Sequence, residues 1–189
     1  VFTGNGDGTF TMKTNYFTGA SAFSVALGKF DSENNVDLAV ANYGANTVTV
    51  FTGNGDATFQ VRSNYTVGTN PYHIVTGDFN HDGKLDLAVA NLSSDNVSIL
   101  LGNGDGTFKA AVNYPTGDGS VYTAVGDVNG DGKQDLVVAN YYANNLSLLL
   151  GNGDGTFAPA LGLAAGVSPR AVVLAQLNAG TNLDLAVFN

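Results

Sequence analysis

Cysteine is absent from the 189 residues, so neither a disulfide framework nor a thiolate site is possible. Lysine and arginine number only 7 and form no cluster, and the net charge is −9. A chain that binds nucleic acid needs grouped cations against the phosphates, so that class is excluded, and binding to an anionic membrane surface is disfavoured on the same ground. No apolar run approaches the roughly 20 residues of a membrane-spanning helix, so no membrane insertion is expected. Glu33 is the only glutamate. The sequence opens at Val1 without a secretory leader, which suggests a processed chain or an excerpt of a longer one.

Hydrophobic residues make up 44% and charged ones 12%, the reverse of a disordered composition. Val, Thr, Asn, Tyr and Phe dominate together with 25 glycines, which favours strands and turns over helices. The segment Thr3-Gly4-Asn5-Gly6-Asp7-Gly8-Thr9-Phe10 returns at 52–59, 101–108 and 150–157, placing Phe10, Phe59, Phe108 and Phe157 each 49 residues apart. Asp37-Leu38, Asp86-Leu87, Asp135-Leu136 and Asp184-Leu185 keep the same step. Tyr16, Tyr65 and Tyr114 do so too, with Leu163 in the fourth place. Three markers in one register define a repeat.

Within one period the pattern predicts four short strands, near 72–79, 85–91, 97–101 and 108–114 in the second copy. The Gly-Asn-Gly-Asp-Gly stretch tolerates positive φ and reads as the turn between the last two. Leu-Asp-Leu-Ala-Val-Ala-Asn is apolar on both faces, as suits a strand packed between neighbouring sheets. Four strands per period of this length predict an all-β protein, a β-propeller of four-stranded antiparallel blades. A single domain over 1–189 is expected, with blades near 21–67, 70–116 and 119–165, and a fourth split between 168–189 and 1–18. The two half-blades are complementary, so they close a ring within one chain or pair head-to-tail between copies.

Between the first two strands of each blade lies a loop rich in oxygen donors. In the second copy it carries Asp78, Asn80, Asp82 and Asp86, with the Lys84 carbonyl available; in the third, Asp127, Asn129, Asp131 and Asp135 with the Lys133 carbonyl. Side-chain oxygens at positions 1, 3, 5 and 9, a glycine at 6 and a carbonyl at 7 can wrap a hard cation of Ca²⁺ type. Three carboxylates within nine residues repel one another unless a cation lies among them. The first loop retains Asp31, Glu33 and Asp37 but has Lys29 in first place; the fourth has Gln176, Asn178 and Gly180 before Asp184. About two calcium sites are expected, with a weaker third at the first loop and none at the fourth. An EF-hand is excluded because position 12 is Val89 or Val138 rather than glutamate. The plain alternative is an Asx-turn loop whose aspartates accept backbone amides.

Gly-Asp-Phe-Asn-x-Asp-Gly-x-x-Asp-Leu together with Leu-Gly-Asn-Gly-Asp-Gly-Thr-Phe resembles the FG-GAP/VCBS repeats of integrin α-subunit propellers, propeller lectins and bacterial surface proteins. The resemblance implies a propeller with calcium in the loop between strands one and two, and an extracellular or cell-surface location. It implies a binding, adhesion or assembly module with a protein or glycan ligand. A lectin and a self-assembling filament or ring remain as alternatives.

An enzyme is not expected, because the clustered aspartates are claimed by the loops and no Ser/His/Asp arrangement is present. Of the two histidines, His81 lies at a non-ligand loop position and His73 opens an inner strand, where it reads as a surface or packing residue. Tyr16, Tyr65 and Tyr114 read as packing between blades, whereas Tyr43, Tyr141 and Tyr142 lie in loops and suit exposed contacts. Sequons at Asn64, Asn91, Asn96 and Asn145 matter only in a glycosylating host.

Overall fold

A computed structural model describes residues 1–189. All regular structure is strand. The chain begins with a two-stranded hairpin, β1 (Phe2–Gly4) and β2 (Phe10–Met12). Three four-stranded antiparallel sheets follow. The first holds β3 (Ala22–Gly28), β4 (Asp37–Asn42), β5 (Thr47–Gly53) and β6 (Phe59–Thr66). The second holds β7 (Pro71–Gly77), β8 (Asp86–Asn91), β9 (Asn96–Leu100) and β10 (Val112–Pro115). The third holds β11 (Ser120–Gly126), β12 (Asp135–Asn140), β13 (Asn145–Leu149) and β14 (Leu161–Ala164). A second two-stranded sheet, β15 (Ala171–Ala175) with β16 (Asp184–Phe188), ends the chain. Each blade is a simple up-and-down meander, and β3, β7, β11 and β15 lie side by side along the inner edge.

The second strand of each complete blade sits between two neighbouring sheets. Leu87, Ala88, Val89 and Ala90 are all fully buried, as are Leu136, Val137, Val138 and Ala139, so both faces of these strands are covered. The core is correspondingly divided among the junctions. Val48, Val50, Ile74 and Leu87 join the first blade to the second; Val97, Ile99, Leu136 and Leu149 join the second to the third; Val121, Leu146 and Val172 join the third to β15. Each such side chain contributes about 1.5–3 kcal/mol by leaving water.

The repeat-spaced tyrosines span these junctions. The Phe59 amide donates to the Tyr16 hydroxyl (2.8 Å) and the Phe108 amide to the Tyr65 hydroxyl (2.9 Å). Tyr65 meets Phe108 edge-to-face, and Tyr114 meets Phe157 likewise.

The fourth strand departs from its predicted bounds. Phe108 forms only an isolated bridge to Gly102, and regular pairing resumes at Val112 opposite Ile99. Four residues on one side thus oppose three on the other, and the surplus residue interrupts the ladder. The first blade absorbs the same surplus inside a continuous β6, between the pairs Val50↔Ser63 and Phe51↔Val61. First strands carry a bulge at their start: Phe23, Tyr72 and Val121 are the surplus residues there. β16 and β1 each present an unpaired edge, and the two half-blades form separate sheets.

Candidate metal centres and blade junctions

Each oxygen-rich loop leaves the first strand at one rim of the blade and returns as the second. In the second blade Asp78 stands at its entry, and its carboxylate accepts the Asp82 amide (3.1 Å) and the Gly83 amide (3.0 Å). Asn80 Oδ1 accepts the same Asp82 amide (3.1 Å), so the oxygens of positions 1 and 3 are brought together. Asp82 Oδ1 accepts the Lys84 amide (2.9 Å), and its second oxygen lies 3.7 Å from the Lys84 ammonium. His81 adopts a left-handed backbone (φ 57°) and is exposed, the place taken by Gly130 in the next blade.

The third blade repeats the arrangement. Asp127 accepts the amides of Gly130, Asp131 and Gly132 at 2.7–3.1 Å, and Asn129 Oδ1 accepts that of Asp131 (2.9 Å). The Lys133 amide donates to Asp131 (2.9 Å), which holds the Asp131 carboxyl below the usual range.

The ninth-position aspartate behaves differently from the others. Asp86 is fully buried, with Oδ2 accepting the Phe79 amide (2.8 Å) and Oδ1 the Gly102 amide (2.8 Å). It therefore clamps the loop to the third strand. Asp37 and Asp135 make the same two bonds, to Phe30 and Gly53 and to Val128 and Gly151. Even in the fourth loop Asp184 accepts the Leu177 amide (2.9 Å). This role was missed at the level of sequence, although its signal was there: the ninth aspartate recurs in all four copies, including the fourth, which has no other loop carboxylate. Asp78, Asp82 and Asp86 consequently do not converge on one point.

The donor set nevertheless fits a hard cation. Its donors are carboxylate, amide and carbonyl oxygens, and the single lysine of each loop lies only 3.6–3.7 Å from one of the carboxylates, leaving the others without a cation. Burial raises the Asp86 carboxyl, the Phe79 and Gly102 amides oppose that rise, and the charges of Asp82 and Asp78 add to it. A cation held by Asp78, Asn80, Asp82 and the Lys84 carbonyl would relieve that repulsion; Asp127, Asn129, Asp131 and the Lys133 carbonyl form the matching set.

The degenerate loops carry substitutes of their own. In the first, the Lys29 ammonium donates to Asn34 Oδ1 and the Glu33 amide to Asp31 (2.9 Å). In the fourth, the Asn178 amide nitrogen donates to both oxygens of Asp184 (2.8 and 2.9 Å).

Loops and junctions are connected. The Gly106 amide in the turn of the second blade donates to the Phe30 carbonyl in the loop of the first (2.8 Å). The Gly155 amide does the same for Phe79 one blade on (3.0 Å). His73, at the inner edge, stacks on Tyr122 with ring centroids 3.8 Å apart and accepts the Thr123 amide at Nδ1 (3.3 Å). Among the sequons, Asn91 is fully buried and its amide nitrogen donates to Ser98 and Asn96 (both 2.8 Å), so it is not an acceptor site, whereas Asn64 is exposed.

The FG-GAP-like repeat pattern matches residues 29–89, 78–138 and 127–187 in overlapping register, and the chain belongs to that family of β-propeller repeats. No curated protein sequence is similar enough to match. Among solved structures, BBS1N in complex with ARL6DN is 16% identical, with a TM-score of 0.60 over 89% of this chain and 52% of that one. An Agrocybe aegerita lectin described by its specific recognition of non-reducing terminal N-acetylglucosamine is 20% identical, with a TM-score of 0.56 over 86% and 45%. A functionally unknown protein from Desulfotomaculum acetoxidans is 16% identical, with a TM-score of 0.62 over 98% and 52%. The chain thus spans about half the length of these neighbours. At such identities the likeness establishes the fold: a β-propeller of four-stranded blades. No helix is long and apolar enough to cross a membrane.

Proposed function

We propose that the chain is a calcium-stabilised extracellular binding module rather than an enzyme, its ligand a protein or a glycan. The observation that carries calcium is the pair of matched loops, Asp78/Asn80/Asp82 and Asp127/Asn129/Asp131, whose backbone amides draw the oxygens of positions 1 and 3 together beside a buried ninth-position carboxylate, Asp86 or Asp135. Such loops suit an environment of high free calcium, outside the cell. The binding role draws on neighbours whose own descriptions are a complex with ARL6DN and recognition of N-acetylglucosamine.

A cation that binds only the folded chain stabilises it by about 2.7 kcal/mol per site at a hundredfold excess over Kd. Two such sites correspond to roughly 10–20 °C in a domain of this size. EGTA should therefore lower the melting temperature by about that much, and magnesium should restore little. Asp82→Asn combined with Asp131→Asn should reproduce the drop, while Asp184→Asn should leave the response to calcium intact. Superimposable melting curves with and without EGTA would remove the metal from the account.

A second reading, head-to-tail assembly, rests on the free edges of β16 and β1. In complete blades Leu38 pairs with Phe51 and Asp37 accepts the Gly53 amide. At the equivalent repeat positions these relations would place Leu185 of one copy opposite Phe2 of another and offer Asp184 the Gly4 amide.

A further inference from the structure

At the rim opposite the carboxylate loops, where the first strands begin, the junction of the second blade, the third blade and β15 holds an open cleft of about 260 Å³. Tyr72, Leu92, Val121, Tyr141, Tyr142 and Arg170 line it. Tyr72 and Val121 are the bulge residues of β7 and β11, and a bulge re-aims its side chain out of the sheet. Tyr141 and Tyr142 meet at 83°, forming two walls of a corner. The Arg170 guanidinium lies over Tyr141, 5.0 Å from the ring centroid, and donates to its hydroxyl (3.2 Å).

The backbone fixes this corner. The Tyr141 amide donates to the Gly119 carbonyl (2.7 Å), and the Arg170 amide to the Phe188 carbonyl (2.7 Å). Gly119 has φ 78°, and a Cβ there would lie 2.5 Å from the Tyr142 ring. Asp95 at the same rim spends its carboxylate on the Gly119 amide (2.9 Å).

Two departures from the repeat coincide here. One repeat back, three of the same positions hold Phe23, Tyr43 and Tyr72, whose rings pack on one another at 4.4–6.4 Å. In the cleft, Arg170 stands where other copies have Phe23, Tyr72 and Val121, and Tyr142 where they have Gly44 and Ser93. The ion pairs of the molecule are Lys84 with Asp82 and Lys133 with Asp131, so Arg170 has no carboxylate partner in a chain of net charge −9. A guanidinium has five N–H donors, and one is used on Tyr141.

We propose that this cleft binds a single pyranose ring bearing a carboxylate, a hexuronate at the end of a saccharide. The carboxylate takes the free edge of Arg170, the ring's C–H face lies on a tyrosine, and the tyrosine hydroxyls meet the sugar hydroxyls. The volume is below the range of about 300–1,000 Å³ that holds drug-sized ligands, which suits one ring. The inference rests on the reading of the chain as a binding module and names its ligand class.

The test is calorimetric titration of the calcium-loaded chain with D-glucuronate, D-glucose and benzoate. Glucuronate should bind saturably and about tenfold more tightly than glucose, the increment of one charge-assisted hydrogen-bond pair at an exposed site. Arg170→Gln should abolish that preference, bringing glucuronate down to the affinity of glucose for the same variant, and Tyr142→Ala should weaken both. Unchanged melting temperatures in these variants would show that the fold is intact. Equal affinity for glucuronate and glucose, or a preference that survives Arg170→Gln, overturns the role of the guanidinium. Tighter binding of benzoate overturns the saccharide assignment. Absence of binding to all three overturns the site itself. The EGTA melting shift stands apart from each of these results, because no cleft residue belongs to a carboxylate loop.

Discussion

His73 is held neutral by its surroundings. Burial between the inner strands pushes its pKa down to about 4, and only an unprotonated Nδ1 can accept the Thr123 amide. The unfolded chain takes its proton near 6.5, so between that pH and about 4 the unfolded state binds more protons than the folded one. The contribution of His73 is therefore complete above pH 6.5 and lost as the pH falls through this window. After discounting for partial solvent access it amounts to about 2 kcal/mol. Urea unfolding at pH 7 and pH 4.5 should reveal that loss in the native chain, and His73→Gln, which retains an acceptor, should flatten it.

At the scale of the loop, one motif contains two kinds of aspartate, and substitution should separate them. Asp82 is exposed and its oxygens face the Lys84 amide and ammonium. Asp82→Asn should weaken the calcium response while changing the melting temperature in EGTA only slightly. Asp86 holds two backbone amides in a fully buried place, and Asp86→Asn turns an NH₂ group toward one of them. It should cost about 2–3 kcal/mol in calcium and in EGTA alike. A loss confined to the calcium-loaded state would remove the clamp from Asp86.

The strands were legible because their information is local. Leu87-Ala88-Val89-Ala90 reads as a strand covered on both faces, and it is one. The start of the fourth strand was not legible, because a surplus residue leaves no mark in a β-rich run until its partner strand is known. The loop donors were visible as a spacing, but the inward turn of Asp86 depends on Gly102, which approaches only after the third strand has paired. The cleft was hidden for a further reason. Tyr141 and Tyr142 stood out as loop aromatics, whereas Tyr72 and Arg170 lie two repeats apart and become neighbours only through the stacking of blades.

Across the whole molecule, apolar surface is concentrated at the two ends of the blade series. Phe23, Val25 and Leu27 on β3 are all more than half exposed, and so are Val173 on β15 and Phe188 on β16. Exposed strand edges flanked by such side chains are templates for pairing. Light scattering across a concentration series should show association of the 189-residue chain, and a charge introduced on the β1 face by Phe2→Lys should suppress it. A constant monomer mass over the full range would set assembly aside.

The near-identity of the hairpins has a consequence for how the chain reaches this state. Leu87 pairs with Leu100 and Leu136 with Leu149, so the second strand of one blade offers the third strand of another almost the same partner it offers its own. Within that single strand pair, stability barely distinguishes the two partners. Their difference is one of loop closure: inserting a whole period into the hairpin connection costs only about 2 kcal/mol of chain entropy. At the first pairing step the native order is thus favoured by speed, since the short hairpin forms first. A chain refolded from denaturant should populate slow, blade-skipped species that a chain emerging from its N-terminus would never meet.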